Sequence, residues 1–334
     1  MNNTKLILQQ VNKTHKGLEK YYLTALISVL GGRGVWLIGF QGMGKSVIGL
    51  SIMELLKKYI PIYTGDILTL HQVAQDTEFL SKNRLFTFVD DYSLSGTMYT
   101  KLSLLTTLTA LNYKKNVRIR KKGLSADIEF DEFNYIVCLQ PTWLNSIFNT
   151  EEFRNLFQDK TIRIYMFHLV KEAELGMPKV EVEINYDKSI TTKEIPKNTY
   201  VNKSLQNLRY IYSEARAKET LLVLLNGILK LDGEFNKENM KLLYNISKLL
   251  KIENDLIEQF GEVKRIDLAK YRTLCILTKY KEFTADDFVK EFKISHDYAV
   301  QILATKSARQ FVYFNNERYH AFPNPIVDLL NEKW

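Results

Sequence analysis

Gly39-Phe40-Gln41-Gly42-Met43-Gly44-Lys45-Ser46 matches the pattern G-x-x-x-x-G-K-[ST]. Each residue type has a task at its position. The glycines let successive backbone N–H groups turn inward and wrap an anion. The lysine reaches the β- and γ-phosphates of a nucleotide, and the hydroxyl after it binds Mg²⁺. Gly39, Gln41, Gly42, Met43, Gly44, Lys45 and Ser46 are therefore the candidate nucleotide-binding residues. A second acidic element follows in Leu85-Phe86-Thr87-Phe88-Val89-Asp90-Asp91. An apolar strand there would carry Asp90 to the sheet edge, where it holds Mg²⁺ with Ser46. Asp91 would orient or deprotonate an attacking water.

The flanking elements must place these groups. Val35 to Ile38 is a short apolar run bounded by glycines, which predicts a buried strand, and Ser46 to Tyr59 reads as a helix. The loop thus joins a strand to a helix N-terminus, whose dipole favours anions. Val11 to Leu30 has helical spacing and is closed by Gly31-Gly32. Further strands are expected at Pro61–Tyr63, Leu85–Val89, Tyr135–Leu139 and Thr161–Leu169, and helices at Leu68–Ser81 and Leu102–Leu111. This alternation predicts a three-layer α/β domain with a mainly parallel sheet. Val180, Val182, Ile184 and Tyr186 alternate with polar residues, as in a hairpin or an extended linker. Ser204 to about Phe260 reads as helical with a break at Gly233, and Ile266 to Phe322 as three helices and a hairpin.

The phosphate loop and the acidic strand resemble those of AAA+ P-loop ATPases, and the likeness runs roughly from Leu18 to Gly261. It implies ATP hydrolysis with Mg²⁺ at the interfaces of a homo-oligomer. It also implies further catalytic positions beside Asp91, which stands where the family usually has glutamate. Gln140, ending Tyr135-Ile136-Val137-Cys138-Leu139-Gln140, takes the place of the sensor Asn or Thr. The arginine given to a neighbouring subunit would be Arg154, with Arg163 second. Lys160 is nearest the family position but lacks a guanidinium fork. Arg216, in Ser213-Glu214-Ala215-Arg216, would be the sensor arginine of the lid.

The chain has 334 residues and a formal charge of +8, of which Lys114, Lys115, Arg118, Arg120, Lys121 and Lys122 supply +6. Alternation of Val117 and Ile119 with arginines predicts a basic hairpin over 114–130. Some AAA+ motors insert a DNA-touching hairpin at this point, which implies phosphate contacts that are sensitive to salt and indifferent to sequence. The C-terminal helices and hairpin resemble a winged helix-turn-helix, with Thr284-Ala285-Asp286-Asp287 as a capping box. Its DNA-facing candidates are His296, Lys306, Arg309 and Arg318, with Asp297 and Gln301 beside them.

Two distant cysteines exclude a disulfide scaffold and a Cys-rich zinc site. No uninterrupted apolar span or leader pattern is present, so a soluble cytoplasmic protein with no membrane contact is expected. The expected organisation is a P-loop NTPase core at 1–197, a helical lid at 198–263 and a winged helix at 264–334. The function implied is a DNA-binding AAA+ ATPase that remodels, loads onto or moves along DNA, in replication initiation or mobile-element processing. The alternative is a nucleotide-controlled signalling or transcription switch of the STAND type, which also tends to end the acidic strand in two aspartates.

Overall fold

The computed structural model describes residues 2–63, 75–80, 84–90, 97–113, 116–121, 124–129, 132–151, 153, 157–169, 176–187 and 189–334. Its strands in the first half are β1 (Val35–Ile38), β2 (Arg84–Val89), β3 (Asn116–Lys121), β4 (Leu124–Glu129), β5 (Glu132–Leu139) and β6 (Ile162–Tyr165). Four of them form a parallel sheet in the order β2-β5-β1-β6. Every residue of β1 and β6 is buried; β1 is the apolar run typical of a parallel strand covered on both faces, whereas β6 buries the charged Arg163. Beyond β2, Ile62 makes a single parallel bridge to Phe86, so the strand expected at Pro61–Tyr63 amounts to one pair.

The helix expected over Val11–Leu30 is instead two, α1 (Asn3–Thr14) and α2 (Glu19–Leu30), separated at Gly17 with φ +99°. All of α2 is buried, including Thr24 and Ser28. Their hydroxyls donate to the carbonyls of Lys20 and Thr24 at 2.7 Å, which satisfies them without an outside partner. Then come α3 (Lys45–Leu56), α4 (Met98–Tyr113), α5 (Pro141–Ile147), α6 (Thr199–Arg209), α7 (Glu214–Asp232) and α8 (Lys237–Leu256). Helices α2 and α7 cross at backbone contact. A Cβ on Gly31 would lie 2.0 Å from the Val223 carbonyl oxygen, and one on Gly227 the same distance from that of Ile27. Glycine on each helix is what permits the approach.

The helical run does not reach Phe260. It gives way to a hairpin, β7 (Ile257–Phe260) and β8 (Val263–Ile266). Two asparagines, one in α5 and one just after it, act as ladder partners for it. Asn145 pairs with both backbone groups of Ile266, at 2.6 and 3.1 Å, and Asn149 with both of Lys264, at 2.9 and 3.0 Å. Residues 178–187 are extended, with alternate side chains buried, but belong to no ladder. Side chains satisfy that backbone: Ser51 donates to Pro178, Tyr59 links Val182 and Ile184, and Arg84 donates to Tyr186.

The C-terminal elements are α9 (Leu268–Lys279), β9 (Glu282–Phe283), α10 (Ala285–Phe292), α11 (His296–Ala304), β10 (Val312–Asn315), β11 (Arg318–Ala321) and α12 (Pro325–Asn331). The three strands form an antiparallel sheet in the order β10-β11-β9. Both halves of the Thr284–Asp287 capping box are formed. The hairpin turns on Asn316 and Glu317, both at positive φ. Among the described residues no helix is long and apolar enough to cross a membrane.

Candidate functional site

The loop 39–46 leaves the carboxyl end of β1 and enters α3. Its first residue is anchored to the neighbouring strand: the Gly39 N–H donates to the Leu139 carbonyl at 3.0 Å. Met43 is buried and its sulfur accepts from the Phe40 N–H at 3.2 Å. Gly42 and Gly44 have φ of +79° and +80°, while Met43 between them does not. Alternation of this kind turns successive N–H groups toward one concavity, the arrangement that binds anions. Gly44 caps α3, so the concavity opens at a helix N-terminus.

Lys45 is buried and folds back over the loop. Its ammonium donates to the Gly39 and Phe40 carbonyls, both at 2.8 Å. Ser46 Oγ donates to Asp90 Oδ1 at 2.6 Å, and Asp90 is exposed. The register explains this meeting. Val89 is level with Val137 and Ile38 with Leu139, so Asp90 follows one residue behind the end of β1, across β5. The donor set is hard oxygen, as Mg²⁺ requires. Adjacent ligands on Mg²⁺ lie about 2.9 Å apart, so the Ser46–Asp90 pair is already near that separation. Gln140 is half-buried at the carboxyl end of β5, between the phosphate-loop strand and the acidic strand. Asp91 and Arg154 lie outside the described residues.

Two arginines are placed differently from what the resemblance implies. Arg163 is no candidate for reaching a neighbouring subunit, because its side chain is fully buried in β6. Its Nε is 2.9 Å from both carboxylate oxygens of Glu253 on α8, and Nη1 donates to the Phe157 and Gln158 carbonyls. Burial raises the Glu253 carboxyl pKa, and the Arg163 charge opposes that shift. Arg216 sits at the wrong end of the sheet to be a sensor. It donates to the Tyr113 hydroxyl at 2.6 Å and pairs with Glu219. Tyr113 follows Asn112, whose side chain receives the Gly34 N–H just before β1. The four residues of β1 separate this group from the phosphate loop by about 13 Å. The helix crossing at Gly31 and Gly227 sets which end α7 passes. Arg33, Lys160 and Arg216 all face the Tyr113 ring, with charges 5.9, 4.9 and 5.2 Å from its centre.

The basic hairpin exists as β3 and β4, with Arg118 opposite Asp127 and their charged atoms 3.7 Å apart. Both side chains are more than half exposed. Arg120 and Lys121 lie in β3, whereas Lys114, Lys115 and Lys122 are outside the described residues. On the C-terminal unit, His296, Lys306, Arg309 and Arg318 are all exposed. Carboxylates accompany them: Asp286 lies 3.7 Å from His296, and Glu282 pairs with Arg318 at 3.0 Å. The exposed side of α11 adds Asp297, Tyr298 and Val300. This surface is mixed, unlike the first strand of the hairpin.

Sequence reasoning missed the contact between the phosphate loop and α9. Tyr271 is fully buried and its hydroxyl lies 2.8 Å from the Ile38 carbonyl and 2.7 Å from that of Met166. Burial pushes the Tyr271 phenol well above its ordinary pKa, so it stays a neutral donor. Its ring lies 5.1 Å from that of Phe40, and the Arg272 guanidinium stands 4.7 Å from the Phe40 ring centre. Tyr271 read as an ordinary core position of an amphipathic helix; no local signal joins residues 233 positions apart.

No family model matches the chain, and no curated protein does. Among solved structures, it is similar to the A form apo structure of the NrS-1 C-terminal region, at 10% identity and a TM-score of 0.30. The match takes in 99% of this chain and 66% of that one, so this chain spans just under two thirds of its length.

Proposed function

We propose that the chain is a DNA-binding AAA+ ATPase with a P-loop core, a helical lid and a C-terminal winged helix. One observation carries this reading: the 2.6 Å hydrogen bond from Ser46 to Asp90 beside the buried Lys45, at the carboxyl ends of parallel strands. Nucleotide enters the 39–46 concavity, and Lys45 exchanges its two carbonyls for phosphate oxygens. Ser46 and Asp90 would hold Mg²⁺, which neutralises charge on the transferred phosphoryl group when bound. Gln140 stands where its amide can bind the attacking water or the outer phosphate. Asp91 is the proposed base and Arg154 the residue offered to the next subunit of a homo-oligomer. Arg216, at the far end of β1, has no part in this step.

DNA contact is assigned first to the hairpin at 114–130, because its first strand is strongly basic while the surface around α11 mixes both signs. Remodelling, loading or movement on DNA during replication initiation or mobile-element processing is the setting this combination fits. The test is ATP hydrolysis measured with and without single- and double-stranded DNA across salt. Stimulation that fades with salt supports the reading. Hydrolysis indifferent to DNA removes the motor.

The second reading, a STAND-type switch, is favoured by the clasp of Tyr271 on the carbonyl before the phosphate loop. It ties the C-terminal unit to the strand end from which the phosphate loop leaves. Slow, DNA-insensitive hydrolysis with ATP-dependent oligomerisation would select it.

A further inference from the structure

The C-terminal unit carries aromatic side chains that its core does not use. Among the described residues, five of the nine exposed large apolar side chains lie there: Tyr298 and Val300 on α11, Tyr313 and Phe314 on β10, and Phe322 just after β11. Phe314 is 63% exposed and Tyr313 44%, and β10 is the outer strand of its sheet. The rings form a connected set. Tyr313 lies 5.0 Å from Phe322 and stacks on His320 at 5.3 Å, while Phe314 lies 5.0 Å from Tyr319. Tyr319 in turn stacks at 5.5 Å on the fully buried Phe283, which anchors the hairpin in the core of the unit. A cluster of exposed rings on a rigid support marks an interaction surface.

The groove between α11 and β10 narrows the partner. It encloses about 480 Å³, with Val300 and Leu303 on one wall and Phe314, Tyr319 and Phe322 on the other. Among the described residues, Arg309 is the one charged side chain that lines it. Arg309 is exposed and in no ion pair with a described residue, whereas Arg318 on the hairpin is paired with Glu282. Burial raises the Tyr319 phenol pKa and the Arg309 charge opposes that shift, so the cation stands near that ring. An occupant must offer flat apolar faces to the rings and negative charge to Arg309. Unpaired nucleotides offer both, a base face and a phosphate at every step. A duplex offers phosphates and groove edges, because neighbouring base pairs cover its base faces. We propose that this groove binds single-stranded nucleic acid: bases stack on Tyr313, Phe314 and Phe322, and Arg309 meets the phosphates. Such binding tolerates any sequence, since every base has a π-face. It differs from duplex readout by α11 and rests on the reading above only in taking nucleic acid as the partner.

The test is fluorescence anisotropy of the full chain with three labelled probes of equal length: oligo-dT, the same strand made abasic, and a duplex. The variants are Tyr313→Ala, Tyr313→Phe, Phe314→Ala and Arg309→Gln, each also made with Arg118→Glu to reduce the share of binding held by the 114–130 hairpin. Each alanine is expected to weaken oligo-dT by about fivefold or more, and the abasic strand and the duplex by less than about twofold. Tyr313→Phe keeps the ring and should bind as wild type. Arg309→Gln should weaken both single strands and make their salt slope shallower by about 0.7. Thermal melting checks folding; the Phe314 side chain is largely outside the core, so its variant carries the comparison if Tyr313→Ala does not fold. Folded alanine variants that keep wild-type oligo-dT affinity in both backgrounds overturn this inference and leave the hairpin contact standing. Loss of self-association in sedimentation, with oligo-dT binding intact, overturns it in favour of a second copy of the chain. Wild type binding none of the probes removes the DNA reading and this assignment together.

Discussion

Replacing Gly42 or Gly44 by alanine tests the phosphate loop twice, because the two share a backbone angle and differ only in surroundings. At φ +79° and +80° each alanine costs about 1–2 kcal/mol for left-handed backbone. At Gly42 no atom of the described residues lies within 4 Å of the new Cβ, so the cost ends there. At Gly44 the Cβ would lie 2.7 Å from Leu18 Cδ1, closer than carbon atoms approach, and Leu18 is fully buried. Overpacking of that kind adds about 1–3 kcal/mol, giving a total of about 2–5 kcal/mol. Urea unfolding followed by tryptophan fluorescence reads both values, with Trp36 buried in β1 as a reporter next to the loop. Affinity should run in the opposite order. The open space over Gly42 is where the proposed phosphate sits, so Gly42→Ala loses nucleotide by roughly tenfold or more while remaining the more stable variant. Shortening Leu18 to alanine in the Gly44→Ala background should cost less than the two single losses added. Equal stability losses at the two glycines would refute the packing argument. Wild-type nucleotide affinity in Gly42→Ala would refute the placement of the phosphate.

Tyr271→Phe removes the donor shared by the Ile38 and Met166 carbonyls and should destabilise the chain by about 1–3 kcal/mol, seen in the same urea curves. Lys20 is buried against the Leu330 carbonyl, and burial lowers its pKa to about 8, with Glu19 and Glu332 pulling the other way. Between that value and its ordinary one near 10.4 the unfolded chain holds the extra proton, so this lysine's contribution to stability rises with pH. The gain approaches about 3 kcal/mol, and Lys20→Met should abolish the rise between roughly pH 8 and 9.5. For DNA, Arg118→Glu should weaken binding across all sequences and make the salt slope shallower by about 1, measured by anisotropy at several salt concentrations.

Legibility from sequence followed the range of the contacts. The phosphate loop is contiguous, and its strand and helix neighbours announce themselves by apolar spacing. Ser46 and Asp90, 44 positions apart, could still be matched because each follows a strand of one sheet, Asp90 directly and Ser46 through the phosphate loop. Local patterns misled where a break was cheap or a partner distant. A single Gly17 divides what periodicity joined into one helix. The hairpin at 257–266 forms because Asn145 and Asn149 supply strand-like partners from more than a hundred positions away. Arg216 had the right neighbours in sequence, but the crossing of α2 and α7 carries it past the far end of β1. Arg272 gave no signal, since a guanidinium in an amphipathic helix reads as a solvated side chain until the ring it covers is known.

The Arg163–Glu253 pair has a mechanical consequence. It is buried and bridges the edge strand β6 to α8, so rotating the helical segment away from the sheet would strand two charges out of water. Breaking such a pair costs about 3–5 kcal/mol, a large share of what one nucleotide-binding event supplies. The junction therefore behaves as a weld more than a hinge. The contact from Phe40 into α9 is of another kind: rings and the Arg272 guanidinium pack on Phe40 with no such buried ion pair among the described residues, so it can shift at lower cost.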